Sequence, residues 1–124
     1  MTAPNIVEVG SIVGKTQTVA LSTTGETVLV NNPASSNKVF KINVIQVANV
    51  HATNSCDATI KLHSAAAGAG TGFALVSTAS VPSDSSLIVI DKNTSLYLEE
   101  DKSITAKASS SNDLEVIVSY EEIS

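Results

Sequence analysis

The sequence predicts an all-β domain, an antiparallel β-sandwich or jelly roll of about nine or ten short strands. Three observations carry that expectation. Valine and isoleucine dominate the apolar residues, and β-branched side chains suit a pleated, half-buried surface better than a helix. Apolar and polar residues alternate in short runs, and no stretch keeps a helical period. Short polar turns separate these runs at a spacing of roughly ten residues.

Taken in order, Asn5 to Val13 reads as an edge strand, with Ile6 on one face and Val7 and Val9 on the other. Gly14-Lys15 is the expected turn into a strand from Thr16 to Leu21. Thr23-Thr24-Gly25-Glu26 is the next expected turn, a tight hairpin in which the glycine would supply a positive φ. Thr27 to Val30 follows, until Asn31-Asn32-Pro33 breaks the run, because proline cannot donate to a ladder. Lys38 to Val50 is the strongest strand signal. Phe40, Ile42 and Val44 share one face while Ile45 and Val47 share the other, so a bulge near Val44-Ile45 is expected to switch the register. After a polar loop, Ala58, Ile60 and Leu62 alternate with Thr59, Lys61 and His63, which puts His63 on the wet side. The Ala/Gly-rich run from Ser64 to Gly72 reads as a flexible loop, long enough to serve as a contact element. Phe73 to Ser80 and Ser86 to Asp91 are strands around the Pro82-Ser83-Asp84-Ser85 turn. Leu96 and Leu98 oppose Tyr97, Asp101-Lys102 turns into Ile104, Ala106 and Ala108, and Leu114, Val116, Val118 and Tyr120 line the last strand. The inward-facing set expected from this pattern is Ile42, Val44, Ile60, Leu62, Val89, Leu98, Val116 and Val118, with Phe40 the largest single contribution.

A chain of 124 residues fits one domain, 1–124, with residues 1–21 an N-terminal arm or edge-strand extension. The core must be aliphatic, because Phe40, Phe73, Tyr97 and Tyr120 are the only aromatic residues. The net charge is −5 and all seven basic residues are lysines, scattered singly. Without arginine to clamp phosphate or a guanine edge, and without basic clusters interleaved with aromatics, no nucleic-acid partner is expected. The single Cys56 excludes an intramolecular disulfide. The N-terminus lacks a charged start followed by an apolar run, so no signal peptide is expected. The longest near-apolar stretch, Val44 to Val50, is too short to cross a bilayer, and no membrane partner is expected.

The search for chemistry turns up four constellations and no convincing one. His51, Cys56 and His63, with Asp57, form a conceivable metal set, but structural zinc ligands come in closer pairs. The same residues make a Cys/His pair in which nothing activates the thiol. Glu99, Glu100 and Asp101, and the pair Glu121-Glu122, point neither to a buried acid nor to an aromatic-lined sugar cleft, and a calcium site on Glu99 and Asp101 competes poorly with solvated turns. Gly68, Gly70 and Gly72 lack the strand-to-helix setting of a phosphate cradle. No catalytic, cofactor-binding or metal-binding residue is assigned, no cofactor is expected, and the chain reads as a non-enzyme.

From about Asn32 to Ser124 the chain resembles small virion proteins of bacteriophages, especially marine and cyanobacterial phages. The likeness is carried by Lys38-Val39-Phe40-Lys41-Ile42-Asn43-Val44-Ile45-Gln46-Val47-Ala48-Asn49, by Ala58-Thr59-Ile60-Lys61-Leu62, and by Ser80-Val81-Pro82 leading to Ser86-Leu87-Ile88-Val89-Ile90. It continues through Leu96-Tyr97-Leu98-Glu99-Glu100-Asp101, Ile104-Thr105-Ala106 and Val116-Ile117-Val118-Ser119-Tyr120-Glu121-Glu122. Such proteins often carry a glycine in the acidic turn, where this chain has Glu100-Asp101. The resemblance implies a structural subunit of the virion, made in the host cytoplasm: a capsid decoration (cement) protein that stabilises the head, or a neck, tail or baseplate accessory. It also implies a homo-oligomer, a trimer by preference, contacting the major capsid protein or other virion proteins. A carbohydrate- or receptor-binding sandwich is the competing reading, and the shortage of aromatics disfavours it.

Overall fold

The computed structural model describes residues 10–124, and the part of the expected first strand from Asn5 to Val9 lies outside them. Among the described residues the alternating runs form nine strands: β1 (Ile12–Ala20), β2 (Thr27–Asn32), β3 (Val39–Asn49), β4 (Cys56–His63), β5 (Gly72–Val81), β6 (Ser86–Ile90), β7 (Leu96–Leu98), β8 (Lys102–Ala108) and β9 (Leu114–Ile123). They build two antiparallel sheets packed face to face. One runs β1-β9-β3-β6, with the short β7 beside β6 on the same flank of β3; the other runs β2-β8-β4-β5. If β6 and β7 are counted as one interrupted strand, first pairs with last, second with next-to-last, and so inward to the β4–β5 hairpin. That nesting is the wrapped hairpin of a jelly roll.

The inner faces supply an aliphatic core. Ile42, Ile45, Val47, Ile60, Leu98, Ile104, Leu114, Val116 and Val118 are fully buried, and Phe40 lies against Tyr120 with ring centroids 5.3 Å apart. Of the expected inward set, Leu62 and Val89 are half-buried against this core. Val44 is the exception. The β3–β9 register shifts between Ile42 and Val44, so Asn43 is the extra residue and the inward parity passes from Phe40 and Ile42 to Ile45 and Val47. The bulge expected near Val44-Ile45 exists, one residue earlier, and it turns Val44 away from the core.

Two expected turns are absent. β1 runs unbroken through Gly14-Lys15, because every residue from Ile12 to Ala20 has a partner on β9. The segment after β1 is not a hairpin either. β1 and β2 belong to different sheets, so residues 21–26 carry the chain across the sandwich, and Gly25 needs no positive φ to do so. Two fully desolvated asparagines hold other crossings. Asn32 donates its amide to the carbonyls of Lys38 (2.9 Å) and Leu98 (3.0 Å), closing the 33–38 loop. Asn49 donates to the carbonyls of Asn54 and Val81, both at 2.9 Å, and accepts from the His51 amide. Each replaces backbone partners that a loop cannot provide.

Candidate functional site

The Ala/Gly-rich segment between β4 and β5 is docked rather than loose. It folds back over the outer face of the β2-β8-β4-β5 sheet as a short 3₁₀ turn, Ala66–Gly68. Its backbone amides find side-chain acceptors on that face: Ala66 on Asp101 Oδ1 (3.1 Å), Ala67 on Asn31 Oδ1 (2.8 Å) and Gly68 on Ser103 Oγ (2.8 Å). Ser103 in turn donates to the Ala65 carbonyl at 2.8 Å. Small residues are required here. Gly68 (φ 74°) and Gly70 (φ 71°) sit in the left-handed region, and a β-carbon on Gly68 would stand 3.3 Å from Thr105 Cγ2. The low-complexity composition that suggested flexibility is what lets the backbone lie so close to the sheet.

Beneath this lid lies a polar cluster. His63 projects to the outer side of β4, as its alternation with Ile60 and Leu62 implies, yet it is only 5% exposed. The expectation of a wet histidine fails because Gly72 on β5, Thr105 on β8 and Glu26 pack against it; a β-carbon on Gly72 would sit 3.0 Å from the imidazole. His63 Nε2 is 2.9 Å from Thr105 Oγ1 and 3.1 Å from Glu26 Oε1, and Thr105 donates to the same Glu26 oxygen at 3.2 Å. Hydroxyl, imidazole and carboxylate are thus together, but not in a catalytic order. A triad needs the acid on one ring nitrogen and the hydroxyl on the other. Here both contact Nε2, while Nδ1 is buried with no partner. The arrangement ties the 21–26 crossing to β4 and β8.

The other candidates are held apart. Cys56 and His63 occupy opposite ends of β4, about 23 Å along an extended strand. Cys56 Sγ is buried beside Ser109 Oγ at 3.4 Å. His51 Nδ1 accepts the amides of Thr53 (3.1 Å) and Asn54 (2.9 Å), which fixes its own loop. Asp101, at φ 57°, spends one carboxylate oxygen on the lid. Glu99 is exposed, whereas both carboxylate oxygens of Glu100 are buried without a partner. Among the described residues no three His, Cys, Asp or Glu side chains converge as metal ligands. Glu122 bridges Lys15 (2.9 Å) and Lys38 (3.2 Å), stapling β1, β9 and β3 at one end of the sandwich. Burial alone would push its carboxyl up, but the hydrogen bonds from Lys15 and Lys38, and then their charges, hold it below the usual carboxylate range.

The opposite outer face, on β1-β9-β3-β6, has no lid among the described residues. Its outward residues include Ile88 (61% exposed), Tyr97 (47%) and Ile117 (42%). Ile117 is flanked across the sheet by Thr18 on β1 and Gln46 on β3, and Gln46 in turn faces Ile88 on β6. Together with Ala20, Ala48 and Glu115, this row lines a shallow depression of about 280 Å³. The face is broad, uncharged along this row, and ends in β1, a strand exposed along nearly its whole length. Sequence alternation could have located Ile88 and Ile117 as outward-pointing; what it could not reveal was that no other described residue covers them.

A comparison of the sequence with models of known protein families finds no match, and no curated protein matches it either.

Proposed function

We propose that this chain is a non-enzymatic structural subunit of a bacteriophage virion, a capsid decoration (cement) protein seated on the major capsid protein. The observation that carries the reading is the bare outer face of the β1-β9-β3-β6 sheet, where Ile88, Ile117 and Tyr97 stand exposed beside an uncovered edge strand. Exposed apolar surface of this kind on a small domain serves as a contact surface. The jelly-roll strand order is compatible with such a role, since capsid domains share it with lectins and cupins, but fold analogy alone is not an argument for function. The likeness of residues 32–124 to small phage virion proteins supplies the biological setting. A sugar-binding sandwich fits less well: the two exposed aromatic rings, Phe73 on β5 and Tyr97 on β7, lie on different sheets and cannot form one stacking platform. In this reading the subunit self-associates, by preference as a trimer, and the bare face meets other virion proteins.

Quantitative mass spectrometry of purified particles tests the proposal. A decoration protein is expected at a copy number comparable to that of the major capsid protein. A copy number matching a single ring would move the subunit to the neck, tail or baseplate. Absence from particles would overturn the virion reading.

A further inference from the structure

The two sheets have four edges, and three are blunted. β2 has a register shift at Leu29, β5 has two shifts and a left-handed residue at Thr78 (φ 46°), and the flank shared by β6 and β7 has a shift and a strand of only three residues. Such bulges and interruptions keep an edge from pairing with another chain. β1 has none of them. It pairs with β9 over nine consecutive residues without a shift, contains no proline, and has no second neighbour among the described residues.

The direction of its hydrogen bonds follows from its ends. Ser11 and Ser124 exchange both backbone hydrogen bonds (3.0 and 2.9 Å), and Leu21 donates to Leu114 at 2.9 Å. In an antiparallel ladder this alternates, so the odd residues of β1 bond to β9. The amides and carbonyls of Ile12, Gly14, Thr16, Thr18 and Ala20 therefore point to the open edge.

We propose that β1 pairs antiparallel with β1 of a second copy of this chain, about a two-fold axis through Thr16. The edge selects both partner and register. Outward-bonding residues must meet outward-bonding residues, which restricts pairing to even-with-even registers. Centred on Thr16, the strand is complementary to itself: Gly14 meets Thr18, Ile12 meets Ala20, Val13 meets Val19, and Lys15 meets Gln17. All five outward residues then find partners. The one charge on the strand, Lys15, faces a neutral side chain and is drawn back to Glu122 at 2.9 Å. Other even registers leave outward groups unpaired, and centring on Lys15 would put two like charges opposite each other. Gly14 agrees with this. It has no positive φ, and a β-carbon there would meet nothing within 4 Å in its own chain, so the isolated subunit does not require it. Glycine in a strand often marks the close approach of another backbone. The pairing would join two five-stranded sheets into one and extend the bare face across both copies, in keeping with a closed two-fold contact. The inference goes beyond the virion reading, because it uses only edge geometry and holds for the chain in isolation.

The test is sedimentation equilibrium of the full chain, alongside Thr16→Pro, Thr16→Lys and a cysteine pair. The wild type is expected to dimerise, in place of the trimer that the family resemblance implies, or to form a hexamer in which this two-fold contact coexists with a three-fold one. Thr16→Pro removes an outward amide and one exposed, long hydroxyl contact to Ser119 Oγ (3.5 Å), and should raise the dimer dissociation constant at least tenfold, with an unchanged circular-dichroism spectrum. If Thr16→Pro does not fold, Thr16→Lys, which places two lysines on the axis, should give the same weakening. The cysteine pair reads the register. Thr16→Cys copies lie about 5.5 Å apart at Cα and should cross-link on oxidation, while Thr18→Cys copies, about 14 Å apart along the strands, should not. The buried Cys56 serves as the internal control. A monomer at all concentrations, a trimer indifferent to Thr16→Pro, or cross-linking through position 18 instead of 16 would each overturn the pairing. A monomer would also remove self-association from the proposed function, whereas the place of the chain in the virion stands or falls on particle composition.

Discussion

On the β2-β8-β4-β5 sheet residues 64–71 cover one end of the outer face, over Asn31, Ser103 and Thr105. The other end, around Thr59, Lys61 and Lys107, is an open polar depression of about 520 Å³, and the edges are interrupted by bulges. On the β1-β9-β3-β6 sheet the corresponding surface has no cover among the described residues, mixes Ile88, Ile117 and Tyr97 with Thr18, Gln46 and Glu115, and is bounded by an unbroken strand. The two sheets share one core, so the difference does not arise from folding demands. A lid that satisfies its own amides with Asn31, Asp101 and Ser103 finishes one side of the domain within the chain. The other side carries no such docked segment among the described residues.

Changes that ignore this asymmetry should have the largest effects. Phe40 reaches the shared core between the sheets, and Phe40→Ala should cost about 3–5 kcal/mol in chemical denaturation. Both faces should be lost together in one transition. Next comes the closed face. Ser103→Ala removes the acceptor for Gly68 and the donor to Ala65 at a fully buried position, and should cost about 1–3 kcal/mol. Its signature should be faster amide exchange in residues 64–71 than in the core strands. Substitutions on the open face should behave in the opposite manner. Ile88→Ser should change the stability of the isolated chain by about 0.5 kcal/mol or less, yet abolish incorporation into particles. Equal losses from Ile88→Ser and Ser103→Ala would erase the contrast between the faces.

The smallest effect is expected from pH. Glu122 is held below the usual carboxylate range in the folded chain, so its pairing with Lys15 and Lys38 stabilises above that range. The contribution should vanish as pH falls through the folded value, and Glu122→Gln should remove that part of the acid dependence. On the alkaline side two groups act in the same direction. The hydrogen bond to Glu122, with its charge, raises Lys15, and burial together with the Glu122 charge raises Tyr120. Raised groups stabilise below their unfolded values near pH 10 and above, and that stability should be lost as pH rises through the folded ones.

Much of this architecture was legible in the sequence, and the illegible parts have physical causes. Period-two alternation located eight of the strands and most of the core, because one face of each strand is buried. The β3 bulge was visible as a change of parity between Ile42 and Ile45. Gly14 misled, since glycine reads as a turn, whereas here it continues a strand that has no neighbour to crowd it. The Ala/Gly run misled for the opposite reason: composition reports backbone freedom, not whether side chains elsewhere offer that backbone acceptors. His63 followed its predicted side of β4 but not its predicted exposure, because the covering residues come from beyond the strand. The open face and the free edge depend on which strands end up outermost, a property of topology that alternation does not encode.

Hydrogen–deuterium exchange on the chain diluted to monomer and, for the virion role proposed above, on particles containing it tests the contrast most directly. The account predicts new protection at the outward amides of β1, at Gly14, Thr16 and Thr18, and along β6 and β9, with no change in residues 64–71. Protection that appears over the lid while β1 stays as exposed as in the free chain would contradict it.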